Sequence, residues 1–323
     1  MISIALDMMG GDLGSAATLE GAKIFHAAHP EVKLILVGKK EELSSEIGEI
    51  VDARDVVAMD AGPLEALKAR ESSMYKAVEL VKANEAQGVV SCGGTGAYLS
   101  CATVRLRLIP GVKRSALITA FPTKIKGKKV VVLDAGASNE NSGEEIAQFA
   151  LMGSLYSKFV YGLESPKVYL LSNGGEEHKG SPEGKEAFAL LKEDAKLNFC
   201  GNIEAREALS GEADVIATDG FSGNLLLKST EGTAKLMSGM LKDAFKRNIF
   251  SMLGYLLCKK GISEMKETMS SKKVGGAMLV GVNGTVVKAH GNSDGEAFAN
   301  AIEVAYKLIS SNMVDKIKEG LSS

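Results

Sequence analysis

Short runs of apolar, often β-branched residues recur along the chain, and most end in Gly or Asp. They fall at Ile2–Asp7, Val32–Val37, Val56–Asp60, Gly88–Ser91, Leu117–Phe121, Lys129–Asp134, Lys167–Leu171, Asp214–Thr218 and Thr285–Lys288. Each has the length and composition of a buried strand. Between them lie segments with apolar residues at i, i+3 and i+4, such as Ser72–Glu85, Glu144–Tyr161 and Gly295–Ile309. In the first of these, Met74, Ala77, Val78 and Val81 share one helical face. Strands alternating with amphipathic helices predict an α/β fold, a mainly parallel sheet covered by helices. With no low-complexity linker and no fixed-period repeat, residues 1–323 read as a single α/β catalytic domain with room for two lobes.

One region breaks the alternation. Residues 236–272 carry no strand pattern. Met237, Met240, Leu241, Ala244 and Phe245 form a helical stripe, and Ile262, Met265 and Met269 form another. Between them, Ile249–Cys258 is almost wholly apolar, with Lys246–Arg247 before it and Lys259–Lys260 after it. The pattern predicts a helical hairpin with an apolar tip and a basic collar. Two roles suit it. The stems can pair with a second copy, and the tip (Ile249, Phe250, Met252, Leu253, Tyr255, Leu256, Leu257) can rest on an anionic membrane surface.

Composition narrows the classes. The chain has 323 residues, 45% of them hydrophobic, enough for a large core. Its 38 basic and 40 acidic residues give a net charge of −2, which argues against a nucleic-acid binder. Tryptophan is absent and aromatics make up 5%, so a base-stacking platform is not expected either. The four cysteines (Cys92, Cys101, Cys200, Cys258) show no metal-binding or disulfide spacing. The start of the chain lacks the pattern of a signal peptide, and no apolar run is long enough to span a bilayer. The expectation is a cytoplasmic protein with reduced thiols.

The candidate chemistry lies in glycine turns between strand and helix. They are DMMGGD (7–12), SCGGTGA (91–97), DAGAS (134–138) and DGFSGN (219–224). Ligands of parallel sheets bind where strands end, and helix N-termini favour anions. A single turn of this kind is ordinary geometry, but several on one rim point to a small anion or phosphoryl group. No dinucleotide or P-loop fingerprint is present, so neither a nucleotide held in the usual way nor a cofactor is expected. A fifth loop, SNGGEEHKGSPEG (172–184), would bring Lys179 to the same rim as a point charge. His290 ends a strand within reach of it, whereas His26 and His29 lie on the first helix. Cys92 stands beside a glycine turn, where a small buried cysteine is the commoner case, and there is no G-x-S-x-G elbow.

These motifs, together with ESSMYKAVELVK (71–82), QFALMGSLY (148–156), FCGNIEAREAL (199–209) and LVGVNGTVVKAHG (279–291), occur in the order found in one family. The chain resembles the bacterial phosphate acyltransferases (PlsX) over nearly its whole length. The resemblance implies a fold similar to the phosphotransacetylases and the isocitrate/isopropylmalate dehydrogenases. It also implies transfer of a fatty acyl group from acyl carrier protein to inorganic phosphate, for phospholipid synthesis. It implies a homodimer with peripheral membrane contact, and a glycerol-3-phosphate acyltransferase that takes the product downstream.

The lysine and asparagine tied to catalysis in that family fall on Lys179 and Asn224. The expected phosphate and thioester wall comprises four turns and a histidine. Asp7, Gly10, Gly11 and Asp12 come from the first turn, and Gly93, Gly94, Thr95 and Gly96 from the second. Asp134, Gly136 and Ser138 form the third, Gly223 belongs to the fourth, and His290 completes the set. In this scheme Lys179 and the N–H groups of Gly93–Gly96 hold phosphate, while Asn224 serves the thioester carbonyl or its oxyanion. The family usually places asparagine where this chain has Gly94 and Ser138, and alanine where it has Met8. Basic clusters at Lys113–Arg114, Lys124–Lys129 and Lys246–Arg247 are candidate docking points for the acidic carrier protein. The alternatives are a phosphate acetyl- or butyryltransferase using acyl-CoA, or a catalytically weakened membrane-associated scaffold.

Overall fold

The computed structural model describes residues 1–269 and 276–322. Eleven strands form one sheet: β1 (Ser3–Asp7), β2 (Lys33–Gly38), β3 (Glu49–Asp52), β4 (Gly88–Ser91), β5 (Ala116–Pro122), β6 (Lys129–Leu133), β7 (Lys167–Ser172), β8 (Asn198–Glu204), β9 (Val215–Ala217), β10 (Ala277–Val280) and β11 (Thr285–Lys288). Their order is β3-β2-β1-β4-β11-β10-β5-β6-β9-β7-β8. All pairings are parallel except β11–β10, β10–β5 and β5–β6. The mainly parallel sheet is as expected. The segment Val56–Asp60 is not a strand; the edge beside β2 is taken by Glu49–Asp52 instead. Val57 is buried as a loop anchor, which explains its apolar character.

β5 divides the sheet. Its first residues, Ala116–Ile118, pair with β10, and Thr119–Pro122 pair with β6. Because β11–β10, β10–β5 and β5–β6 are all antiparallel, β6, β9, β7 and β8 run opposite to β3, β2, β1, β4 and β11. The expected single rim is therefore two rims, whose turns confront each other across the middle of the molecule.

The helices are α1 (Gly14–Ala28), α2 (Glu65–Lys68), α3 (Ser73–Lys82), α4 (Thr95–Leu106), α5 (Gly143–Tyr161), α6 (Pro182–Glu193), α7 (Gly220–Lys246), α8 (Ile249–Met269), α9 (Gly295–Ser310) and α10 (Met313–Ser322). One face of the sheet carries a continuous apolar layer. It runs from Leu6, Phe25 and Phe298 at one end to Phe149, Val168 and Leu191 at the other. The opposite face is covered in two pieces. Val37, Val78, Tyr98 and Val286 form one, and Phe121, Val132, Tyr169 and Ile216 form the other. The gap between the two pieces is the cleft.

Local signals start the helices as the residue types dictate. Ser72, Ser181, Asp219 and Asp294 cap α3, α6, α7 and α9. Ser142 and Glu145 form a capping box on α5. Gly21 lets α1 lie against α9, since a Cβ there would stand 2.7 Å from the Gly295 carbonyl oxygen.

The hairpin is longer than the pattern suggested. Its first stem is α7 itself, which begins in the DGFSGN turn. Arg247–Asn248 link it to α8, where the Asn248 side chain accepts from the Ser251 N–H at 2.9 Å. Ile249–Cys258 is thus the start of the second helix rather than a loop at the tip. Residues 270–272 of the expected hairpin lie outside the described residues. Gly220 and Gly223 are the buried residues of α7. Ile249, Phe250, Leu253 and Leu257 are exposed, with Leu257 at 89%. Tyr255 turns inward, with its ring 5.4 Å from that of Phe245. Among the described residues no helix is long and apolar enough to cross a membrane.

Candidate active site

Two buried aspartates organise the turns. Asp7 ends β1 and is wholly enclosed. Its Oδ1 accepts from Ser73 Oγ at 2.6 Å and from the N–H groups of Met9 and Gly10 at 3.3 Å each, and its Oδ2 accepts from Ser91 Oγ at 2.5 Å. Burial raises the Asp7 pKa above the ordinary value, and these hydrogen bonds oppose the shift. Ser91 Oγ in turn accepts from the Gly93 N–H at 2.9 Å.

Asp134, which follows β6, plays the same part in the second lobe. Its carboxylate accepts from the N–H groups of Leu117, Gly136, Ala137 and Ser138 at 2.8–3.1 Å and from Ser138 Oγ at 2.7 Å. Asn141 Oδ1 joins this turn to the next, lying 2.9 Å from Ser138 Oγ and accepting from the Gly220 N–H at 3.0 Å. Asp7, Asp134 and Ser138 are therefore braces whose hydrogen-bonding atoms are spent inside the turns. They are not part of the cleft wall, contrary to expectation.

The cleft has a volume of about 430 Å³. Its floor is Leu117 and Thr119 of β5, Ala277 of β10 and Lys288 of β11. Thr95 and Gly96, in the first turn of α4, form one wall; Gly136, Asn224, Leu227 and Lys228 form the other, and His290 and Gly291 flank the floor. Of the expected site residues, the cleft thus brings together Thr95, Gly96, Gly136, Asn224 and His290. Gly136, at φ +120°, leaves room for the Asn224 side chain, which a Cβ there would meet at 3.2 Å. Gly223 lies beneath Asn224 against the Asp134 carbonyl oxygen, so close that a Cβ would overlap it.

Other expected members sit behind the wall. The Gly93 N–H is spent on Ser91. Gly94 is buried under the loop after β3, and a Cβ there would stand 2.5 Å from the Met59 carbonyl oxygen. The loop thus fills the space that an asparagine side chain would need. Gly10 packs on Asp7 and Gly93, and Gly11, at φ +95°, packs on Cys92 and Gly291. The Asp12 N–H donates to the Gly291 carbonyl at 2.7 Å. Met8 is a core residue.

Lys179 is exposed on the loop after β7, outside the lining of the cleft. Its stem packs on Gly174, and its N–H donates to the Glu176 carbonyl at 3.0 Å. Cys92 is 2% exposed, and burial pushes its thiol up to about 12, so it stays protonated and serves packing. His29 stacks between Phe25 and Tyr306 and pairs with Glu303 at 2.9 Å. Lys113 and Lys128 are engaged with Glu144 and Asp214, which leaves them less free to dock a partner.

Two cations were missed. Lys288 and Lys228 line the cleft, yet their sequence contexts read as strand and helix surface. The β alternation contained a signal, because Lys288 follows Val286 and Val287, both buried on opposite faces. Burial lowers the His290 pKa, against the pull of Glu231 and with the help of Lys288 and Lys228. The imidazole is accordingly neutral at pH 7.

The α/β body with a cleft between opposed strand ends has counterparts among solved structures. A branched-chain phosphotransacylase from Enterococcus faecalis V583 superposes with a TM-score of 0.62 at 17% identity, covering 96% of this chain and 99% of that one. A phosphotransacetylase from Streptococcus pyogenes gives 0.61 at 16%, covering 97% and 94%. A 4-hydroxythreonine-4-phosphate dehydrogenase from Salmonella typhimurium shares the fold more loosely, with a TM-score of 0.53 at 13% identity over 95% of this chain and 99% of that one.

Sequence comparison is more specific. The family model described as "Fatty acid synthesis protein" matches residues 2–316. Proteins named phosphate acyltransferase, from a Nitratiruptor species and from Thermosipho melanesiensis, are each 42% identical. They cover 99% of this chain and 98% and 97% of their own lengths. The chain belongs to this fatty acid synthesis family.

Proposed function

We propose that the chain transfers a fatty acyl group from acyl carrier protein thioester to inorganic phosphate. The observation that carries the reading, beside family membership, is the confrontation of Asn224 on one wall with the α4 N-terminus on the other. In the reaction a phosphate oxygen attacks the thioester carbonyl carbon. The C–O bond forms, the carbonyl oxygen takes the electron pair, and collapse expels the thiolate as the C–S bond breaks. The thiolate then takes a proton from water. The nucleophile is the substrate itself, so positioning and charge stabilisation are the protein's work. Asn224 donates to the developing oxyanion, and the first-turn N–H groups of α4 face the phosphate. Lys179 meets the substrates at the outer rim when the loop 173–181 folds over the cleft.

Incubating the protein with phosphate and either acyl carrier protein thioester or acyl-CoA tests this. Acyl phosphate and free thiol should appear with the carrier thioester. Product from acyl-CoA alone would favour the phosphate acetyl- or butyryltransferase reading, and no product from either donor would favour the scaffold.

The same reading places the protein on the cytoplasmic membrane surface as a homodimer, with hairpin stems paired and the start of α8 against anionic lipid. There it hands acyl phosphate to a glycerol-3-phosphate acyltransferase. Support comes from Phe250, Leu253 and Leu257, exposed beside Lys246–Arg247 and Lys259–Lys260. In liposome flotation with anionic vesicles, wild type should float and Leu253→Glu/Leu257→Glu should stay at the bottom. Equal flotation of the two would exclude the membrane role.

A further inference from the structure

Lys288 has a cationic side chain in an unusual place. It is the last residue of β11, level with Ser91 of β4, whose following turn opens α4. Strand alternation puts it on the same face as Val286, the face on which α4 packs. It is 7% exposed, yet it contributes to the cleft floor. The acceptor of its ammonium is the carbonyl of its own neighbour, Ala289. Among the described residues no carboxylate pairs with it.

A buried ammonium without a carboxylate partner is costly unless something else supplies the negative charge. The groups around Lys288 do not supply it at contact distance. Asp7 is committed to Ser73, Ser91 and the backbone. Cys92 is a neutral thiol, Asp12 acts only from a distance, and Lys228 and His290 add no negative charge. Burial brings the Lys288 pKa down to about 8, so at neutral pH it is charged and wants a counter-ion. Thr95 and Gly96 line the same cleft and begin α4, whose first-turn N–H groups have no acceptor within the helix.

We infer that Lys288, with the N–H groups of Thr95 and Gly96, forms the inner anion site that holds inorganic phosphate, while Lys179 serves the outer rim. This rests on the acyl-transfer reading above and names the residue that binds the second substrate. Lys228, paired with Glu231 at 3.1 Å, lies on the wall of the same cleft.

The test is steady-state kinetics of Lys288→Met and Lys288→Arg with acyl carrier protein thioester and phosphate. The Met variant should raise KM for phosphate on the order of tenfold or more, the loss expected for a hydrogen bond to a charged group. Its KM for the acyl donor should stay unchanged, and the Arg variant should recover part of the phosphate affinity. In wild type, kcat/KM for phosphate should fall above about pH 8, where phosphate stays a dianion and Lys288 loses its proton. The Met variant should lack that limb.

A second measurement needs no variant. Phosphate should raise the melting temperature of the wild-type protein more at pH 7 than at pH 9.5. Unchanged phosphate KM in a folded Met variant, or a phosphate shift equal at both pH values, would overturn the inference. Absence of acyl phosphate from wild type would instead sink the acyl-transfer reading, so the two failures are distinguishable.

Discussion

Asn224→Ala should leave the protein folded and lower kcat for acyl-phosphate formation on the order of 10²–10³-fold, as loss of an oxyanion donor does. Asn224 is the fifth residue of α7, held toward the cleft because Gly136 beside it has no side chain. Removing its amide opens no core cavity, since Asn224 is exposed. The effect should fall on kcat, with KM for phosphate little altered, because the donor acts on the acyl carbonyl. A stopped assay of acyl phosphate, with circular dichroism as the folding control, decides it. Turnover within threefold of wild type would remove Asn224 from the mechanism.

The second large effect is structural. Gly223→Ala should cost about 3 kcal/mol or more, the range of severe overpacking against backbone. The added methyl group would overlap the carbonyl oxygen of Asp134. That oxygen belongs to the residue whose carboxylate gathers five donors and ties β5 to the DAGAS turn. The clash therefore works on the brace and displaces Asn224, so activity should fall with stability. Gly232→Ala, in the same helix with nothing within 4 Å of the new atom, is the control. It should stabilise by about 0.5–1 kcal/mol, the helix-propensity gain of alanine over glycine. Urea midpoints of the two variants should move in opposite directions.

Much of this architecture is legible in the residues. The strand pattern placed β4 and β11 at their observed ends, and the ends of β1, β6 and β7 to within one residue. It failed at β3, β8 and β10. β3 and β8 carry polar residues on the two edges of the sheet. Val56–Asp60 misled because an apolar loop anchor has the same composition as a strand.

The site divides in the same way. Sequence by itself determined the class of fold, the glycine turns and the apolar hairpin, which follow from local rules: alternation, capping, and the backbone freedom of glycine; Asn224 was singled out by the family resemblance. Only the tertiary structure decided which turn residues open on the cleft and which brace it, because a carboxylate such as Asp7 or Asp134 is equally able to do either. It also decided that the turns form two opposed rims, since the three antiparallel pairings around β10, β5 and β6 leave β6, β9, β7 and β8 running against β1, β2, β3, β4 and β11. Lys288 shows the reason most plainly. A lysine ending a strand is ordinary in sequence, and it becomes a buried, unpaired cation only because β4, β5 and β10 assemble around it.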